Sequence, residues 1–448
     1  MDLIDRLVSA VGAEHVLTGR DVVAGYEADW TGRLRGRALA VVRPGSRDEV
    51  AAALVACAGA GVPVVPQGGN TGLVGGGVPR GGEVVLSTVR LAALDAVDRT
   101  SGQVTAGAGV RLAALRAHAR AAGLDFGVDL AARDSATVGG MAATNAGGLR
   151  VVRFGPMRAQ VVGLEAVLAD GRAVGSLAGL EKDSTGYDLA GALVGSEGTL
   201  AVVTAARLRL VPALPARATA VLGFGSTEAA VAAVPALRGP LLTAVEVCFD
   251  DGVALVCAHR GLAAPFRRPC PVYLLVEYAG EHDPTDQLGE AVAGIAGVLD
   301  SALATDEVSR RRLWAYREGH TEAVGALGVP LKLDVAVPPA RAAAFEAAVR
   351  AAVAEVAPGA RLVLFGHLAE GNFHVNVVGA GDEHALADAV LRAVAAEGGS
   401  ISAEHGVGVA KAPWLHLTRS AAERDLYAGI KRAWDPGGVL NPGVLIPR

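Results

Sequence analysis

Histidines and an acidic residue recur at two places in the C-terminal half of the chain. FGHLAEGNFHVNV, 365–377, contains His367 and His374, and SISAEHGVG places Glu404 directly before His405. If GHL ends one strand and FHVNV begins the next, the intervening AEGN forms a turn and the two imidazoles converge. Two imidazole nitrogens and one carboxylate oxygen, with coordination positions left open, suit a catalytic Zn²⁺. A histidine pair that is satisfied within the fold is the alternative, and the added Glu-His favours the metal.

A strand-like run, PVVPQ, leads into the glycine-rich loop GGNTGLVGGG, 68–77. Glycine tolerates positive φ and lets a ligand approach backbone N–H groups closely, and successive N–H groups form an anion-binding nest. The loop is a candidate pyrophosphate cradle, with Asn70 and Thr71 adding side-chain donors; a plain surface loop is the alternative. Two further stretches, 134–148 and 195–199, have the same chemistry. Together they favour one large anionic ligand such as a dinucleotide, although neither GxGxxG nor GxxxxGK[ST] occurs.

Length and composition bound the kind of protein. A chain of 448 residues exceeds one hydrophobic core, so two or three domains are expected. Its 51% hydrophobic and 19% charged residues are typical of a globular protein. The net charge of −5 without a dense basic tract argues against nucleic-acid binding. No apolar run of about 18 residues predicts a transmembrane segment, and MDLIDRLVSAVG predicts an amphipathic helix rather than a signal peptide.

The cysteines bear on the compartment. They are scattered, without a CxxC pattern, at Cys57, Cys248, Cys257 and Cys270. This distribution fits a reducing cytoplasm and argues against an iron–sulfur cluster. We expect a cytoplasmic location, with peripheral association with a membrane as the alternative.

Apolar periodicity indicates the elements that must position these motifs. Residues 38–66 predict strand, helix and strand, with Ser46 as the helix N-cap and Glu49 completing a capping box. VVGLEAVLADGRAV predicts a hairpin with an Asp-Gly turn at 170–171. From about residue 213, alanine-rich helices alternate with strands such as PVYLLVEYAG and ARLVLFGH.

Four of these stretches carry a family resemblance. GGNTGLVGG, DSATVGGMAATNAGG, KDSTGYDL and GSEGTL resemble the FAD-binding domain of the vanillyl-alcohol-oxidase type. They are most similar to its D-2-hydroxyacid dehydrogenase branch, which includes D-2-hydroxyglutarate and D-lactate dehydrogenases and the flavin subunit of glycolate oxidase. The resemblance runs from about residue 25 to the C-terminus. It implies an α+β fold, in which a two-part FAD-binding domain is joined to an α+β substrate (cap) domain with an antiparallel sheet. We expect the helices of the cap domain on one face of that sheet.

The resemblance also implies cofactor contacts. It places Gly68, Gly69, Asn70, Thr71 and Gly72 at the FAD pyrophosphate, and Asp134, Ser135, Gly139, Gly140, Asn145, Glu197, Gly198 and Val203 around the rest of the cofactor. Asn441, in a terminal segment similar to the family's closing segment, is a further candidate contact, with a capped turn as the alternative. Some relatives attach FAD through a histidine. Since no histidine lies in or beside these loops, we expect non-covalent FAD.

The resemblance assigns roles to the histidines. HLAEGNFH departs from the family's usual HLGDGNLH but keeps both histidines. His367, His374 and Glu404 would bind a divalent metal, most readily Zn²⁺, and His405 would be the general base. A metal lowers the pKa of a bound hydroxyl, a neutral histidine accepts its proton, and the flavin takes the Cα hydrogen as hydride. Because Glu404 and His405 are adjacent, their segment must be irregular if both face one site.

A 2-hydroxy acid also needs a cation for its carboxylate. WAYREGHTEA and PLKLDVAVP resemble the family's WxxRExxTEA and KxDVSVP, which implies substrate contacts by Arg317, Thr321 and Lys332. Arg317 and Thr321 are four residues apart and would share a helix face. A solvated surface charge is the alternative for Arg317. Lys332 favours a substrate with a second carboxylate, although branches of the family that act on monocarboxylates could use this residue too.

These inferences combine into one expectation. Residues 1–212 form the FAD-binding domain in two subdomains, 213–395 the substrate domain, and 396–448 a segment that returns to the FAD domain. The enzyme would be an FAD- and metal-dependent dehydrogenase that oxidises a D-2-hydroxy acid to the 2-oxo acid, with D-2-hydroxyglutarate as first choice. D-lactate or glycolate oxidation, a non-catalytic flavin subunit of a larger oxidase, and a sugar or aldonolactone oxidase are the alternatives. The expected partner is an electron acceptor (a quinone, an electron-transfer flavoprotein or a partner subunit). The oligomeric state is left open, with a homodimer as one possibility.

Overall fold

The computed structural model describes residues 1–304 and 306–446. It divides into two compact units. Unit 1 comprises Met1–Gly148, Phe154–Ala213 and the chain from Glu404 onward. Unit 2 comprises Leu149–Arg153 and Leu214–Ala403.

The first two segments of unit 1 contain short helices and short strands. The strands are β1 (Val16–Leu17), β2 (Ala38–Val42), β3 (Val64–Gln67), β4 (Glu83–Ser87), β5 (Gln103–Gly107), β6 (Leu124–Asp125), β7 (Val161–Val167), β8 (Ala173–Ser176), β9 (Val202–Arg209) and β10 (Val211–Pro212). The helices are α1 (Leu3–Val11), α2 (Arg20–Val23), α3 (Arg47–Gly59), α4 (Leu112–Ala121), α5 (Val138–Thr144), α6 (Val151–Phe154), which straddles the border with unit 2, α7 (Met157–Gln160) and α8 (Leu189–Leu193).

Unit 1 is built on two four-stranded sheets and a two-stranded ribbon. One sheet has the order β1-β2-β4-β3, in which β2, β4 and β3 are parallel, and the other is antiparallel with the order β5-β9-β7-β8; β10 pairs with β6. Buried side chains from both sheets and from α3 form one core, which includes Val42, Leu54, Leu86, Leu164 and Leu208. One glycine-rich loop follows β3 and another precedes α5. Both are therefore attached to elements that pack in this core.

The helix cap and the hairpin predicted for unit 1 are both present in the structure, with one difference. Ser46 caps α3 by accepting the N–H of Glu49. The capping box is only half formed, because the Glu49 carboxylate accepts the N–H of Gly45, at 2.7 Å, rather than that of Ser46. The predicted hairpin is confirmed as the antiparallel pair β7–β8, with Gly171 at φ +86° in its turn.

Unit 2 contains one seven-stranded antiparallel sheet with the order β14-β11-β13-β12-β16-β17-β15. Its elements along the chain are β11 (Ala216–Phe224), α9 (Thr227–Leu237), β12 (Leu242–Phe249), α10 (Asp250–Arg260), β13 (Val272–Gly280), α11 (Thr285–Ala293), β14 (Val298–Ala304), α12 (Glu307–Glu318), α13 (His320–Leu327), β15 (Leu331–Ala336), α14 (Ala342–Val356), β16 (Arg361–His367), β17 (Asn372–Val378) and α15 (Glu383–Ala396). Helix α16 (Ala421–Trp434) follows in the last segment of unit 1. Short 3₁₀ helices cover Ala13–His15, Ala24–Tyr26, Thr88–Arg90, Pro339–Arg341, Leu368–Glu370 and Ala412–Leu417.

Helices cover both faces of this sheet, so the expectation of helices on one face is wrong. On one face, Phe365 and Leu275 share a buried cluster with Trp314 of α12 and Val324 of α13. On the other face, Phe373 contacts Phe345 of α14, with ring centroids 5.1 Å apart. The sequence carries the physical reason, since strands buried on both faces are apolar at nearly every position, and β12 and β13 are buried throughout.

Candidate active site

The glycine-rich loops of unit 1 lie against one another. A β-carbon added to Gly68 would lie 2.3 Å from Oγ1 of Thr137, which caps α5, and one added to Gly69 would lie 1.8 Å from the carbonyl oxygen of Ser135. One added to Gly198, in the turn before β9, would lie 3.1 Å from Cγ of Pro66. The three loops singled out in the sequence therefore meet in one place.

Unusual backbone conformations concentrate in these loops. Asn70, Asn145, Glu197 and Asn441 have φ values of 52°, 51°, 51° and 42°. Non-glycine residues rarely adopt this left-handed region, and it recurs at ligand sites because the surrounding structure must enforce it. All four belong to the set predicted to contact FAD, whereas a fifth non-glycine residue with positive φ, Leu445 at 63°, does not.

Side chains of these residues hold the loops together. The amide nitrogen of Asn70 donates to the carbonyl of Ala28 at 2.7 Å, and Oδ1 of Asn145 accepts the N–H of Arg158 at 2.9 Å. One N–H of Asn70, which we predicted to donate to a ligand, is therefore engaged within unit 1. The first loop can also offer its backbone N–H groups to an anion.

The other predicted cofactor residues surround the same loops. Thr71 is half-buried and Gly72 is exposed; Asp134 and Ser135 are exposed just before α5; Gly139 and Gly140 lie in its first turn; and Val203 is buried in β9. Asn441 donates from its amide to the carbonyls of Gly76 and Glu197, at 2.8 Å each. Its Oδ1 is buried and accepts no hydrogen bond from the described residues. An orphaned acceptor beside bare backbone fits a site that is completed by a ligand.

Glu197 connects this region to the segment that carries His405. Its carboxylate accepts the N–H groups of Val407 and Gly408, both at 2.8 Å. Burial raises the pKa of Glu197, and the two N–H donors and Lys411 oppose that shift. The loop that follows His405 is thus fastened to the turn before β9.

In unit 2, the predicted turn between the two histidines is confirmed. Strand β16 ends at His367, the chain turns through Leu368–Glu370 and Gly371, and β17 begins at Asn372. The imidazole centroids of His367 and His374 are 5.4 Å apart, with the rings nearly perpendicular at 83°. The two imidazoles therefore converge on one face of the sheet.

A buried carboxylate from the next strand contacts the first histidine. Glu246 of β12 lies opposite His367 in the sheet register and has no exposed surface. Its Oε1 is 2.7 Å from Nδ1 of His367, and its Oε2 accepts Nε–H of Arg317 at 2.8 Å. Burial opposes ionisation of Glu246, but the charges and hydrogen bonds of His367 and Arg317 outweigh it and lower the pKa.

A second buried carboxylate, Asp334 of β15, lies opposite His374 and is 1% exposed. Its Oδ1 is 3.6 Å from Nδ1 of His374, and both residues offer atoms suited to a metal. Asp334 also accepts hydrogen bonds from the amide of Asn372, at 2.8 Å, and from the N–H of Ala403, at 3.1 Å. Ala403 directly precedes Glu404 in the sequence.

Glu404 and His405 lie in the irregular segment that their adjacency required. Oε2 of Glu404 accepts the N–H of Gly148 at 2.7 Å, and its Oε1 is 3.8 Å from Nε2 of His405. The two side chains thus point to the same side of this segment, which a regular strand would not allow.

The proposed substrate residues differ in environment. Helix α12 ends at Glu318 and α13 starts at His320, so the prediction that Arg317 and Thr321 share one helix face is wrong. Arg317 is buried and its guanidinium lies 4.5 Å from the centroid of the Phe365 ring, whereas Thr321 is exposed.

Lys332 lies on the same sheet face as the histidines. It is two residues before Asp334 on β15 and opposite Asn376 of β17, so the strand alternation puts it on the side of His374. It is half-buried, and burial lowers its pKa. A cation therefore lies along the strand that also carries Asp334.

Glu370, in the turn between the histidines, has a perturbed carboxyl group. Burial raises its pKa to about 7; His367 opposes this shift and Glu246 adds to it. Its Oε2 is buried without a hydrogen-bond partner among the described residues. This turn thus carries a buried carboxyl group whose pKa lies well above its ordinary value.

Sequence reasoning missed Glu246 and Asp334. Each is an isolated acid in an otherwise apolar strand, LTAVEVCF and LKLDVA respectively. A buried carboxylate needs a partner, so such a residue in a strand buried on both faces signals a polar site. That signal was available, but the partner was not identifiable without the sheet register.

Two protein-family models match this chain. The family described as "FAD binding domain" matches residues 38–175, and the family described as "FAD linked oxidases, C-terminal domain" matches residues 214–445. The structure is similar to p-cresol methylhydroxylase with substrate bound (TM-score 0.78, 16% identity, 99% of this chain and 96% of that chain). It is also similar to 4-ethylphenol oxidase from Gulosibacter chungangensis (TM-score 0.76, 18% identity, 100% and 97%). These neighbours share the fold, which is that of the vanillyl-alcohol-oxidase-type flavoproteins.

Relatives by sequence are more specific. The chain is 39% identical to a D-2-hydroxyglutarate dehydrogenase of Xanthomonas citri pv. viticola over 98% of this chain and 96% of that protein. It is 37% identical to the mitochondrial D-2-hydroxyglutarate dehydrogenase of Bos taurus (97% and 82%), and 34% identical to the D-2-hydroxyglutarate dehydrogenase of Stutzerimonas stutzeri (98% and 98%). The chain belongs to the FAD-linked D-2-hydroxyacid dehydrogenase family, and it oxidises a D-2-hydroxy acid with FAD as its cofactor. None of the helices among the described residues combines the length and apolar character needed to span a bilayer.

Proposed function

We propose that the protein oxidises D-2-hydroxyglutarate to 2-oxoglutarate, using non-covalent FAD and a divalent metal, most readily Zn²⁺. The observation that carries this proposal is the sheet face of unit 2, where β15, β16 and β17 bear Lys332, His367 and His374 on one side. Arg317 is joined to His367 through Glu246. Two cations beside two imidazoles suit a substrate with two carboxylates, and the relatives named above carry this activity in their names.

FAD would be held by the glycine-rich loops of unit 1. Their bare backbone, the left-handed residues and the orphaned Oδ1 of Asn441 support this assignment. Bound FAD would supply the hydride acceptor. No histidine lies in or beside these loops, which supports non-covalent attachment.

The metal would be held by His367, His374 and Glu404. Two imidazoles and a carboxylate match the donors that Zn²⁺ prefers, and Glu404 follows the residue bonded to Asp334. Bound Zn²⁺ would supply a Lewis acid for the substrate hydroxyl.

The remaining residues bind the substrate and move one proton. Arg317 and Lys332 hold the two carboxylates, and Thr321 is a third proposed contact. His405 accepts the hydroxyl proton on a ring nitrogen. As the alcohol becomes a ketone, the C–H bond breaks and its electron pair leaves with the hydrogen. The proton accepted by His405 and the hydride that bound FAD would accept together account for the two electrons and two hydrogens that the alcohol loses.

The test is the visible spectrum of the purified protein under anaerobic conditions, before and after D-2-hydroxyglutarate, with D-lactate added to a parallel sample. We expect the dicarboxylate to bleach the flavin band and D-lactate to leave it. Bleaching by D-lactate alone would move the substrate to the monocarboxylates and keep the mechanism. A flavin band that neither acid bleaches, even with Zn²⁺ supplied, would contradict the proposal.

The proposal also covers the electron acceptor and the cellular location of the protein. Quinone, an electron-transfer flavoprotein or a partner subunit would reoxidise the flavin, and reoxidation rates of the reduced protein with each candidate distinguish them. The cysteines are all unpaired, which supports the reducing cytoplasm as the location. Sedimentation of the purified protein tests whether it is a homodimer.

A further inference from the structure

We infer that Glu246 is a positioning residue for the metal: it fixes the tautomer and orientation of His367 and holds Arg317 at a set distance from that ligand. The inference rests on the proposed metal-dependent function. It concerns a residue that contributes no ligand atom, and it predicts a change in metal affinity, which is measurable without turnover.

The hydrogen bond dictates which nitrogen of His367 bears a proton. An ionised carboxylate only accepts, so Nδ1, at 2.7 Å from Oε1 of Glu246, must be the donor. In the neutral ring the lone pair is then on Nε2, which is the nitrogen that binds a metal. Histidine ligands commonly donate their second N–H to a carboxylate, and this contact raises their basicity and fixes the plane of the ring.

The burial of Glu246 excludes the possibility that it is a solvent-exposed surface charge. The side chain has no exposed surface, and its strand is otherwise apolar apart from threonine. A carboxylate in such a place is costly unless both oxygens are hydrogen-bonded to cationic or N–H donors. Both oxygens are used here, one by His367 and one by Arg317.

The same carboxylate couples two parts of the proposed site. Arg317 is fixed by the bond from its Nε to Glu246 and by the Phe365 ring beneath its guanidinium. A proposed carboxylate anchor and a proposed metal ligand are thus joined through one rigid residue. Loss of that residue should affect metal binding and substrate binding together.

Glu277 of β13 is a matched control on the same sheet face. It is 3% exposed and also pairs with an arginine, Arg217, at 2.7 Å. Its carboxylate also accepts from Trp314 and Thr243 and lies 3.5 Å from Arg310, and none of these residues is a proposed metal ligand. Glu277→Gln therefore disturbs a buried carboxylate without touching the proposed metal ligands.

The experiment compares wild type, Glu246→Gln, Glu277→Gln and His374→Ala, each loaded with FAD and freed of metal with a chelator. Co²⁺ is titrated into each, its visible absorption is followed, and the Kd is measured by competition with a chelating dye. We expect Glu246→Gln to bind Co²⁺ about 10- to 100-fold more weakly, the usual effect of losing such an outer contact. Glu277→Gln should bind within about threefold of wild type, and His374→Ala should abolish saturable binding.

The outcomes separate the inference from the proposed function. Wild type that shows no saturable Co²⁺ binding would overturn the proposed metal site and the inference with it. Wild type that binds Co²⁺, with Glu246→Gln equally tight, would overturn the inference alone. Equal losses in Glu246→Gln and Glu277→Gln would also overturn it, because general destabilisation would then explain both. Should Glu246→Gln not fold, Glu246→Asp keeps the charge opposite Arg317, shortens the reach to His367 and should weaken Co²⁺ binding in the same direction.

Discussion

A β-carbon on residue 69 would lie 1.8 Å from the carbonyl oxygen of Ser135, so Gly69 is a point at which two loops of unit 1 are in close contact. The glycine is required by this contact between backbones, before any ligand is considered. By contrast, a β-carbon on Gly72 would meet no atom within 4 Å, although the same loop carries it. Substitution of Gly69 therefore tests the packing of the fold, whereas substitution of Gly72 tests the proposed contact with the cofactor.

We predict that Gly69→Ala lowers both the thermal stability of the FAD-free protein and its FAD content. The added methyl group must push the loops apart, which should cost about 2 kcal/mol, within the usual range for overpacking. Gly72→Ala should leave the melting temperature of the FAD-free protein unchanged. If its backbone lies on the pyrophosphate as proposed, its Kd for FAD should rise about tenfold, equivalent to about 1.4 kcal/mol.

Differential scanning calorimetry of the FAD-free variants and fluorescence titration with FAD measure the two effects. Gly69→Ala with a wild-type melting temperature would contradict the loop contact. Gly72→Ala with wild-type FAD affinity would contradict the assignment of that residue to the pyrophosphate, and it would leave the loop contact intact.

How far the sequence predicts this protein depends on the range of the interaction. The turn between His367 and His374 is set by neighbouring residues and the glycine-rich loops are evident from local composition, and the structure has both. Glu246 contacts His367 only because β12 and β16 are adjacent in the sheet, although 121 positions separate the two residues. Sequence spacing carries no information about that register.

Helix continuity shows the same limit. Arg317 and Thr321 have the spacing of one helical face, but α12 ends at Glu318. A β-carbon on Gly319 would lie 2.6 Å from Cγ1 of Val256, so close packing against α10 uses the glycine. This tertiary contact leaves no room for a side chain at the residue between the two helices, and a helical repeat in the sequence does not reveal it.

Lys332→Ala should affect a dicarboxylate substrate more than a monocarboxylate. A hydrogen bond to a charged group is worth about 1.5–3 kcal/mol, so we expect the KM for D-2-hydroxyglutarate to rise about 10- to 100-fold. The KM for D-lactate should change by less than about threefold, because that acid has no second carboxylate. Steady-state kinetics with both acids measures the difference.

Arg361→Ala is the control for this experiment, since Arg361 is an exposed cation at the start of β16 on the same sheet. It should leave both KM values near those of wild type. Equal losses for the two acids in Lys332→Ala would show that Lys332 serves a carboxylate common to both, or the fold, rather than the second carboxylate.

Metal removal should abolish turnover and leave the flavin in place. None of the proposed metal ligands His367, His374 and Glu404 is among the residues assigned to FAD, so a chelator should not release FAD. We expect dialysis against a chelator to eliminate oxidation of D-2-hydroxyglutarate with an unchanged flavin absorbance, and added Zn²⁺ to restore it. His374→Ala should not be restored. Full activity after chelation, with no metal found by elemental analysis, would exclude metal dependence.

His320 should make the fold sensitive to acid. It is fully buried, its Nδ1 is 3.1 Å from the carbonyl oxygen of Arg317, and its Nε2 is buried without a partner among the described residues. Burial, followed by the charge of Arg317, lowers its pKa to about 3. An unfolded histidine takes up a proton near pH 6.5 and the folded one does not, so the unfolded state binds more protons between these values and stability falls as the pH falls through this window.

The expected loss in the free energy of unfolding follows from the difference between the folded and unfolded pKa values of His320. At pH 5 the folded ring is still neutral while the unfolded one is protonated, so His320 should cost about 2 kcal/mol relative to pH 7. His320→Gln keeps a donor for the carbonyl of Arg317 but cannot be protonated, so its free energy of unfolding should fall by about 2 kcal/mol less than that of wild type over this interval. Urea unfolding at pH 7 and pH 5 measures both, with His416→Gln as the control because His416 is exposed. If His320→Gln lost as much stability as wild type on acidification, the neutral buried state of His320 would be ruled out.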